Sequence, residues 1–370
     1  MKSNLTPIAE LVRKYTRLEP YEIVADNVLI VGDIHAGVSG DSPWHQHIIS
    51  DAWDQIINYC VDNNIKYIIQ TGDMFDVQKA VTQVTMNFVN NTCEKLDKHG
   101  IVMFVLVGNH DMHFKSVIYP NSCTELLTKH ENIIVVSEPM KIKCNDAYID
   151  LIPWLCDENK ERIFKFIAES ESQYCVGHWE LTGFYFYKGL PSTGMESDFL
   201  KRYDKVYSGH FHTMSNSANV QYVGTPITLT RNDDNDTRGF WAFNPNDGSE
   251  SFIPNHTTWH KRIDYPTSQE INVKDYKNLS VRLVITDKTK ESDKLETQLE
   301  KVVYELKTQY HTTDFSSAEQ KIDDVDIKTM FDIYREYVNG YDDLSDDEKE
   351  TIYQRLVSLH IRSENGEKVK

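Results

Sequence analysis

The sequence predicts an α/β fold of the α+β kind, with two facing β-sheets, helices outside them and a smaller C-terminal part. Apolar runs at 28–31, 67–70 and 101–107 end abruptly before a Gly-Asp or Gly-Asn pair, as buried strands do at the edge of a sheet. Helical patterns lie between these runs. This alternation of strand and helix implies parallel strands joined by right-handed crossovers.

Apolar spacing predicts the helices that separate the first three strands. Ile48, Ala52, Ile56 and Tyr59 would share one face of the first helix, and a second helix covers about 80–98. A further helix is expected at about 157–169. Short strands dominate after residue 130 and predict the second sheet; they fall at 133–137, 141–144, 147–153, 174–176, 205–208, 220–224 and 239–243.

A domain boundary is expected within 245–275, where Pro, Gly and Asn residues cluster. Beyond it, residues 279–286 alternate apolar and polar, which predicts a strand, and 294–310 carry an apolar face, which predicts a helix. These would form a small α+β domain, here called the capping domain. The expected organisation is an N-terminal extension, a main domain, the capping domain, a linker and a helical segment, at 1–20, 21–250, 251–311, 312–325 and 326–370.

The helical segment is predicted to be a pair of amphipathic helices. The second would begin at Ser345, where Glu348 three residues later completes a capping box. The apolar faces of the pair either pack on the capping domain or bind a partner protein, as helix-in-groove recognition does. The candidate partner-binding residues are Ile327, Met330, Phe331, Tyr334, Ile352, Leu356 and Leu359.

Composition limits the class of protein. The 370 residues can build two or three domains, and the net charge of −18 argues against binding nucleic acid through the whole surface. No run approaches the roughly 20 apolar residues of a membrane span, and the N-terminus has no secretory signal. The six cysteines lack close spacing, so we expect buried, reduced thiols in a cytoplasmic protein without a membrane association.

Polar residues that follow the strand ends predict a metal centre, because ligands bind at the carboxyl edge of α/β sheets. Carboxylate, imidazole and amide donors without thiolate suit Mn²⁺, Fe²⁺ or Zn²⁺. One such ion takes about four to six donors, so a larger set indicates two ions with a bridging carboxylate, for which Asp73 is well placed. The candidate ligands are Asp33, His35, Asp73, Asn109, His178, His210 and His212.

Two cations about 3.5–4 Å apart would activate water, neutralise phosphoryl charge and align the nucleophile with phosphorus. His110 is predicted to be a catalytic histidine that does not bind metal, with Asp111 fixing its tautomer. Asp76 could simply cap the following helix. Each motif alone is a weak signal, and each histidine taken singly could be a structural core residue. Their common position after strand ends makes coincidence improbable.

The order D-x-H, G-D-x-x-D, G-N-H-D, G-H and G-H-x-H, over about 28–245, resembles the calcineurin-like metallophosphoesterase superfamily. His110 matches the catalytic histidine of that family. The resemblance implies one ion held by Asp33, His35, Asp73 and His212, and another held by Asp73, Asn109, His178 and His210. The intact ligand set argues against a scaffold with an inactive site.

Residues 72–76, residues 222–226 and the C-terminal layout are similar to the SbcD-type nucleases that process DNA double-strand breaks. Within that family the resemblance is strongest to the recombination nucleases of T-even-like bacteriophages. It implies an exonuclease and endonuclease that uses two divalent ions, Mn²⁺ or alternatively Mg²⁺, on double-stranded DNA ends. Many relatives carry a histidine at the position of Asp76. We assign Asp76 to substrate binding.

The same resemblance implies partners and processes. The helical segment would bind an SbcC-type coiled-coil ABC ATPase, and two copies of the chain would form a homodimer within a 2:2 complex. The implied processes are double-strand-break processing, recombination and recombination-dependent replication. The alternative function is a stand-alone phosphodiesterase or nucleotidase that acts on small molecules, and the two hypotheses differ in the role of the helical segment.

Overall fold

The computed structural model describes residues 19–187, 190–310, 334–335, 337–338 and 345–364. The chain forms two compact units, Met1–Thr312 and Thr313–Lys370. The first unit contains strands β1 (Tyr21–Ile23), β2 (Val28–Val31), β3 (Tyr67–Gln70), β4 (Val102–Leu106), β5 (Ile133–Val136), β6 (Met140–Cys144), β7 (Ala147–Ile152), β8 (Tyr174–His178), β9 (Tyr185–Tyr187), β10 (Leu190–Pro191), β11 (Lys205–Gly209), β12 (Ser215–Ser217), β13 (Val220–Tyr222), β14 (Gly239–Phe243), β15 (Glu250–Pro254), β16 (His260–Tyr265), β17 (Ser280–Ile285) and β18 (Glu305–Tyr310).

The helices of the first unit flank these strands. They are α1 (Pro43–Asp62), α2 (Gln83–Lys98), α3 (Ser122–Leu127), α4 (Lys160–Glu169) and α5 (Lys290–Glu300), with a helical turn at Val38–Asp41 and 3₁₀ turns at Ser197–Leu200, Arg231–Asp233 and Val273–Tyr276. The second unit contains α6 (Asp346–Glu364). The predicted helices at 80–98 and 157–169 are thus confirmed as α2 and α4.

Two sheets form the main domain, as predicted. The first has six strands in the order β15-β14-β2-β3-β4-β5, and the second has seven in the order β1-β6-β7-β8-β11-β13-β12. Strands β2 to β5 run parallel to one another, as do β7, β8 and β11. The carboxyl ends of both parallel groups can therefore deliver side chains to one edge of each sheet.

The core lies between the two sheets and under the helices. Val28 and Ile30 of β2 pack between the sheets with Phe104 of β4. Leu29 and Val31, the alternate residues of β2, pack toward the helices instead. Since both faces of β2 are buried, its sequence is a continuous apolar run rather than an alternating one. This rigid strand carries the first metal-binding motif at its carboxyl end.

The helix predicted over 294–310 is correct only in its first half. Leu295 and Leu299 are buried on α5, which ends at Glu300. Residues Glu305–Tyr310 form strand β18, which pairs in parallel with β17. The apolar residues at 302 and 306 fit a helical period, but the edge of β17 offers a full row of backbone hydrogen bonds that a strand can use.

Two further features of this region were not predicted. Strand β16 pairs in parallel with β17, so the sheet beyond residue 255 has three parallel strands. Strand β15 pairs with β14 in the six-stranded sheet of the main domain. The main sheet therefore continues to Pro254, four residues past the end given to the main domain and within the 245–275 interval in which the boundary was expected.

The second unit contains a capped helix. The backbone amide of Ser345 donates to the carboxylate of Glu348 at 2.9 Å, and the amide of Glu348 lies 3.4 Å from the Ser345 hydroxyl. The predicted capping box is thus confirmed. Val357 of α6 is buried, and Arg335 lies over the ring of Tyr353, 3.6 Å from its centroid.

The candidate partner-binding residues are only partly placed by the structure. Ile352 is exposed, whereas Tyr334, Leu356 and Leu359 are half-buried. The linker at 312–325 and the candidates Ile327, Met330 and Phe331 lie outside the described residues. Apolar side chains of α6 thus keep some accessible surface.

The cysteines and the helices agree with two features of the sequence. All six cysteines are buried and none forms a disulfide, as the sequence predicted. Among the described residues, no helix combines the length and the apolar character that crossing a membrane would require.

Candidate metal centre

The structure brings the predicted ligands together at the carboxyl ends of five strands. Loops after β2, β3 and β4 contribute from the six-stranded sheet, and β8 and β11 contribute from the seven-stranded sheet. Six of the predicted ligands form two clusters with donor atoms within 4.8 Å of one another, Asp33 with His35 and His212, and Asp73 with His178 and His210; a third such cluster joins His35 to Asp76 and His110. Residues separated by up to 179 positions in the chain therefore meet at one site.

Asn109 joins the second cluster. Its side-chain oxygen Oδ1 lies 3.0 Å from His178 Nε2 and 3.0 Å from His210 Nδ1. His178 Nε2 also lies 3.3 Å from Asp73 Oδ2. A carboxylate, an amide oxygen and two imidazoles thus converge as the sequence predicted.

The first cluster is built from Asp33, His35 and His212. The Nε2 atoms of the two histidines lie 3.0 Å apart, and Asp33 Oδ2 accepts the backbone amide of His210 at 2.9 Å. Burial, with the charge of His35 nearby, holds the pKa of His212 well below its usual range. His212 is therefore neutral at pH 7 and presents a nitrogen lone pair, as a metal ligand must.

Asp73 lies between the clusters and organises the backbone as well. Its Oδ1 accepts the amide of His110 at 2.7 Å, while Oδ2 faces His178. The Asp73 carbonyl accepts the amides of Ile34 and His35 at 3.1 and 3.0 Å. The loops after β2, β3 and β4 are therefore tied together through this one residue.

The glycines before the motifs are required by close packing. A Cβ atom on Gly108 would lie 2.2 Å from Asp73 Oδ1, and one on Gly209 would lie 2.5 Å from Asp33 Oδ1. His35, Asp73 and His210 adopt positive φ angles of 50°, 52° and 87°. Non-glycine residues adopt this conformation at a cost, and such strain concentrates at functional sites.

The pKa values of the buried groups are shifted as expected for a site that binds cations. Burial would lower the pKa of His178, but the charges of Asp73 and Asp33 raise it to about 9. Burial would raise the pKa of Asp73, but His178 and His110 hold it well below its usual range. Without metal, buried carboxylates are thus compensated by protonated imidazoles. Cations would take over this role and displace those protons.

The donor set therefore fits two divalent cations. The converging groups are carboxylates, neutral imidazoles and one amide oxygen, a combination that suits first-row divalent metals. Asp33, His35, Asp73 and His212 would hold one ion, and Asp73, Asn109, His178 and His210 the other. Asp73 belongs to the second cluster through its carboxylate, and its backbone carbonyl accepts the amide of His35 from the first, so it is the candidate bridge.

His110 lies at the edge of the site. Its Nδ1 lies 2.8 Å from the backbone carbonyl of Asp76, and its ring stands edge-on to His35 at 4.8 Å between centroids. A carbonyl can only accept a hydrogen bond, so Nδ1 carries the proton. In the neutral ring, Nε2 then has the lone pair that an acid–base role requires.

The structure assigns Asp111 a different role from the one the sequence suggested. Its carboxylate accepts the backbone amides of Phe75 and Gly108 at 3.0 and 2.8 Å, and it is fully buried. Burial beside Asp73 raises the pKa of Asp111 to about 6. Asp111 therefore braces the loops after β3 and β4, and the ring of His110 contacts the backbone carbonyl of Asp76.

Asp76 does not cap the following helix, because the N-cap of α2 is Thr82. Its carboxylate Oδ1 lies 3.2 Å from Nδ1 of His35, and its side chain is 28% exposed. The predicted substrate-binding residue thus contacts a metal ligand in this structure.

Sequence reasoning did not find three neighbours of the ligands. The carbonyl of Thr71 lies 2.8 Å from His178 Nδ1, Glu180 Oε2 lies 3.7 Å from His210 Nε2, and the ring of Trp154 lies 5.1 Å from that of His210. Thr71 acts through its backbone, which leaves no signal in side-chain types. Glu180 follows His178 by two residues, a position that could have suggested a supporting carboxylate.

Donors for two cations at the carboxyl ends of strands from two sheets, with a further histidine beside them, are typical of a metal-dependent phosphoesterase. Residues 27–214 match the calcineurin-like phosphoesterase family, and the chain belongs to it. The protein is therefore a metal-dependent hydrolase with a dinuclear site, as predicted.

Two sequence relatives agree with this assignment. The chain is 45% identical to exonuclease subunit 1 of Enterobacteria phage T4 over 336 residues, which covers 91% of this chain and 99% of the relative. It is 23% identical to the DNA double-strand break repair protein Mre11 of Sulfurisphaera tokodaii, over 72% of this chain and 68% of that protein. A solved archaeal phosphodiesterase aligns with a TM-score of 0.33 at 13% identity, over 62% of this chain and 99% of that one.

Proposed function

We propose that the chain is the nuclease subunit of a complex that cuts DNA phosphodiester bonds as an exonuclease and endonuclease. The observation that carries the proposal is the convergence of both predicted ligand clusters beside His110. The phage relative, 45% identical over nearly its whole length, is an exonuclease subunit by name, and the archaeal relatives are DNA repair proteins by name, which together support DNA as the substrate. We propose Mn²⁺ as the working metal, with Mg²⁺ as the alternative.

The residues divide the work in this proposal. When bound, the cations would supply an activated water and neutralise charge on the phosphoryl oxygens. Asp73 would fix the spacing of the two ions, and its contact with the His110 amide at 2.7 Å sets the position of that histidine relative to them. With its ring protonated on both nitrogens, His110 would give the Nε2 proton to the leaving oxygen and keep the Nδ1 proton, or it would stabilise the transition state.

We further propose an ABC ATPase of the SbcC type as partner, bound through the helical segment. The net charge of −18 disfavours a broad contact between this chain and the DNA backbone. A partner that holds the DNA would resolve this conflict, and the accessible apolar residues Ile352, Leu356 and Leu359 offer a surface for it. The assembly would be a 2:2 complex with a homodimer of this chain, acting in the cytoplasm.

In this complex the protein would process double-strand breaks in recombination and recombination-dependent replication. The archaeal relatives are double-strand break repair proteins by name, which supports this assignment. A stand-alone phosphodiesterase or nucleotidase would share the same metal centre, so the substrate experiment decides between the two.

Linear duplex DNA is expected to be degraded by the purified chain in the presence of Mn²⁺, and faster when the ATPase and ATP are added. Fragment analysis on a sequencing gel measures the reaction, with EDTA and covalently closed DNA as controls. Rapid hydrolysis of mononucleotides or cyclic nucleotides, with duplex DNA left intact under all conditions, would favour the small-molecule hypothesis instead.

Deletion of residues 322–370 is expected to abolish association with the ATPase and to leave Mn²⁺-dependent hydrolysis of a chromogenic phosphodiester unchanged. The metal centre lies within Met1–Thr312, a compact unit that the deletion does not enter. Co-purification and the rate of hydrolysis measure the two effects. If the truncated chain still binds the ATPase, the helical segment is not the docking site.

A further inference from the structure

Asp76 contacts two histidines of the metal centre with two different groups. Its carboxylate Oδ1 lies 3.2 Å from Nδ1 of His35. Its backbone carbonyl lies 2.8 Å from Nδ1 of His110. Its own amide donates to the carbonyl of Ala36 at 3.0 Å. Asp76, in the loop after β3, therefore contacts the loop after β2 and also holds His110, the histidine in the loop after β4.

The contact with His35 determines which nitrogen of that ring can bind metal. His35 Nε2 faces His212 Nε2 at 3.0 Å, on the side where the ligands converge. When His35 binds metal in its neutral form, its proton must lie on Nδ1, the nitrogen that faces the Asp76 carboxylate. The His35 side chain is only 3% exposed, so water has little access to replace that carboxylate.

An ionised carboxylate is also poorly suited to hold a phosphate. It offers only hydrogen-bond acceptors, so it cannot donate to phosphoryl oxygens. Its negative charge repels a phosphodiester at short range. A histidine at this position could donate a hydrogen bond, which an aspartate cannot do. Both the chemistry of the Asp76 side chain and its contact with His35 therefore favour support of a metal ligand over binding of a phosphate.

We propose that Asp76 is a positioning residue, whose carboxylate fixes the ring of metal ligand His35 and whose carbonyl fixes the tautomer of His110. This replaces the substrate-binding role that the sequence suggested for Asp76. The inference rests on the proposed two-metal hydrolysis and deepens it. Carboxylates that hold a ligating histidine in this way typically change metal affinity by about 10- to 100-fold when they are removed.

Calorimetric titration of the full-length chain with Mn²⁺ tests the carboxylate. Asp76→Ala is expected to weaken one of the two binding steps by about 10- to 100-fold and to leave the other step unchanged. Asp76→Asn keeps an accepting oxygen without the charge, so its loss should be smaller. Asp54→Ala is the matched control, because Asp54 is exposed and pairs with Lys95 on the helices.

Steady-state kinetics on a chromogenic phosphodiester separates positioning from substrate binding. At saturating Mn²⁺, Asp76→Ala should keep the wild-type KM, and any remaining loss should fall on kcat, because Asp76 holds a metal ligand and does not contact the substrate. A raised KM with both Mn²⁺ affinities unchanged would show that Asp76 contacts substrate, and the proposal would be wrong. An equal loss of both Mn²⁺ steps, or an Asn variant more impaired than the Ala variant, would also overturn it.

The carbonyl contact has its own readout in the ¹⁵N chemical shifts of the histidine rings, recorded on the protein loaded with Mg²⁺. His110 should show a proton on Nδ1 in the wild type and in Asp76→Ala alike. A neutral His110 ring in the wild type with its proton on Nε2 and none on Nδ1 would contradict the proposal. Metal titration and ring shifts do not depend on DNA cleavage, so failure of the nuclease assignment is distinguishable from failure of this inference.

Discussion

Replacement of Asp73 by asparagine is expected to abolish metal-dependent hydrolysis while preserving the fold. The amide keeps the shape and can still accept the amide proton of His110, which donates to Oδ1 at 2.7 Å. It cannot present two anionic oxygens to two cations. Loss of one ion removes several kcal/mol of charge stabilisation in the transition state, which corresponds to about a thousandfold or more in rate.

Metal analysis and kinetics on the same preparation measure this effect. The Asp73→Asn protein should bind at most one Mn²⁺ tightly, and its kcat on a chromogenic phosphodiester should fall with the loss of the second ion. Asp54→Asn is the control, since Asp54 is an exposed residue paired with Lys95 at 2.8 Å. Retention of two tightly bound ions by Asp73→Asn would show that another group bridges them.

His110→Ala is expected to keep both ions and to lose hydrolysis by about 10²- to 10⁴-fold, the usual contribution of a positioned acid–base group. The alanine retains the backbone amide that donates to Asp73, so the bridging carboxylate stays in place. What disappears is the ring held by the carbonyl of Asp76. Metal content, compared with the wild type, tests whether both ions remain, and kcat measures the loss of hydrolysis.

His113→Ala provides the comparison for that variant. His113 lies three residues further along the same loop, where its ring contacts Phe114, and it belongs to none of the candidate metal clusters found among the described residues. Its activity should match the wild type. If His110→Ala loses an ion, His110 is a ligand and its assignment as an acid–base group is wrong.

The ligand types and their places in the chain could be predicted because each depends on local sequence. Buried strands read as apolar runs, and the polar residue after each run must lie at the carboxyl edge of the sheet. The loops after β2, β3 and β4 follow this rule, as do the ends of β8 and β11. The glycine before each motif was equally visible, although the reason at Gly108 and Gly209, the approach of the Asp73 and Asp33 side chains, was not.

Two predictions that relied on residues close together in the sequence differ from the structure. Asp111 was chosen as the partner of His110 because it is adjacent, yet its carboxylate accepts backbone amides of Phe75 and Gly108. The apolar period of 294–310 suggested one helix, yet pairing with β17 makes a strand of Glu305–Tyr310. In both cases a group distant in the chain competed successfully with the local arrangement.

The sequence by itself determined the chemistry of the site: donors for two cations, a histidine beside them, and the strand ends that carry them. Only the tertiary structure decided which atom of each residue faces the metal site and which atom contacts a supporting group. The tautomers of His35 and His110 depend on one residue, Asp76, through contacts of 3.2 and 2.8 Å made by its side chain and its backbone. Such choices depend on distances between separate loops, and a pattern of residue types contains no information about those distances.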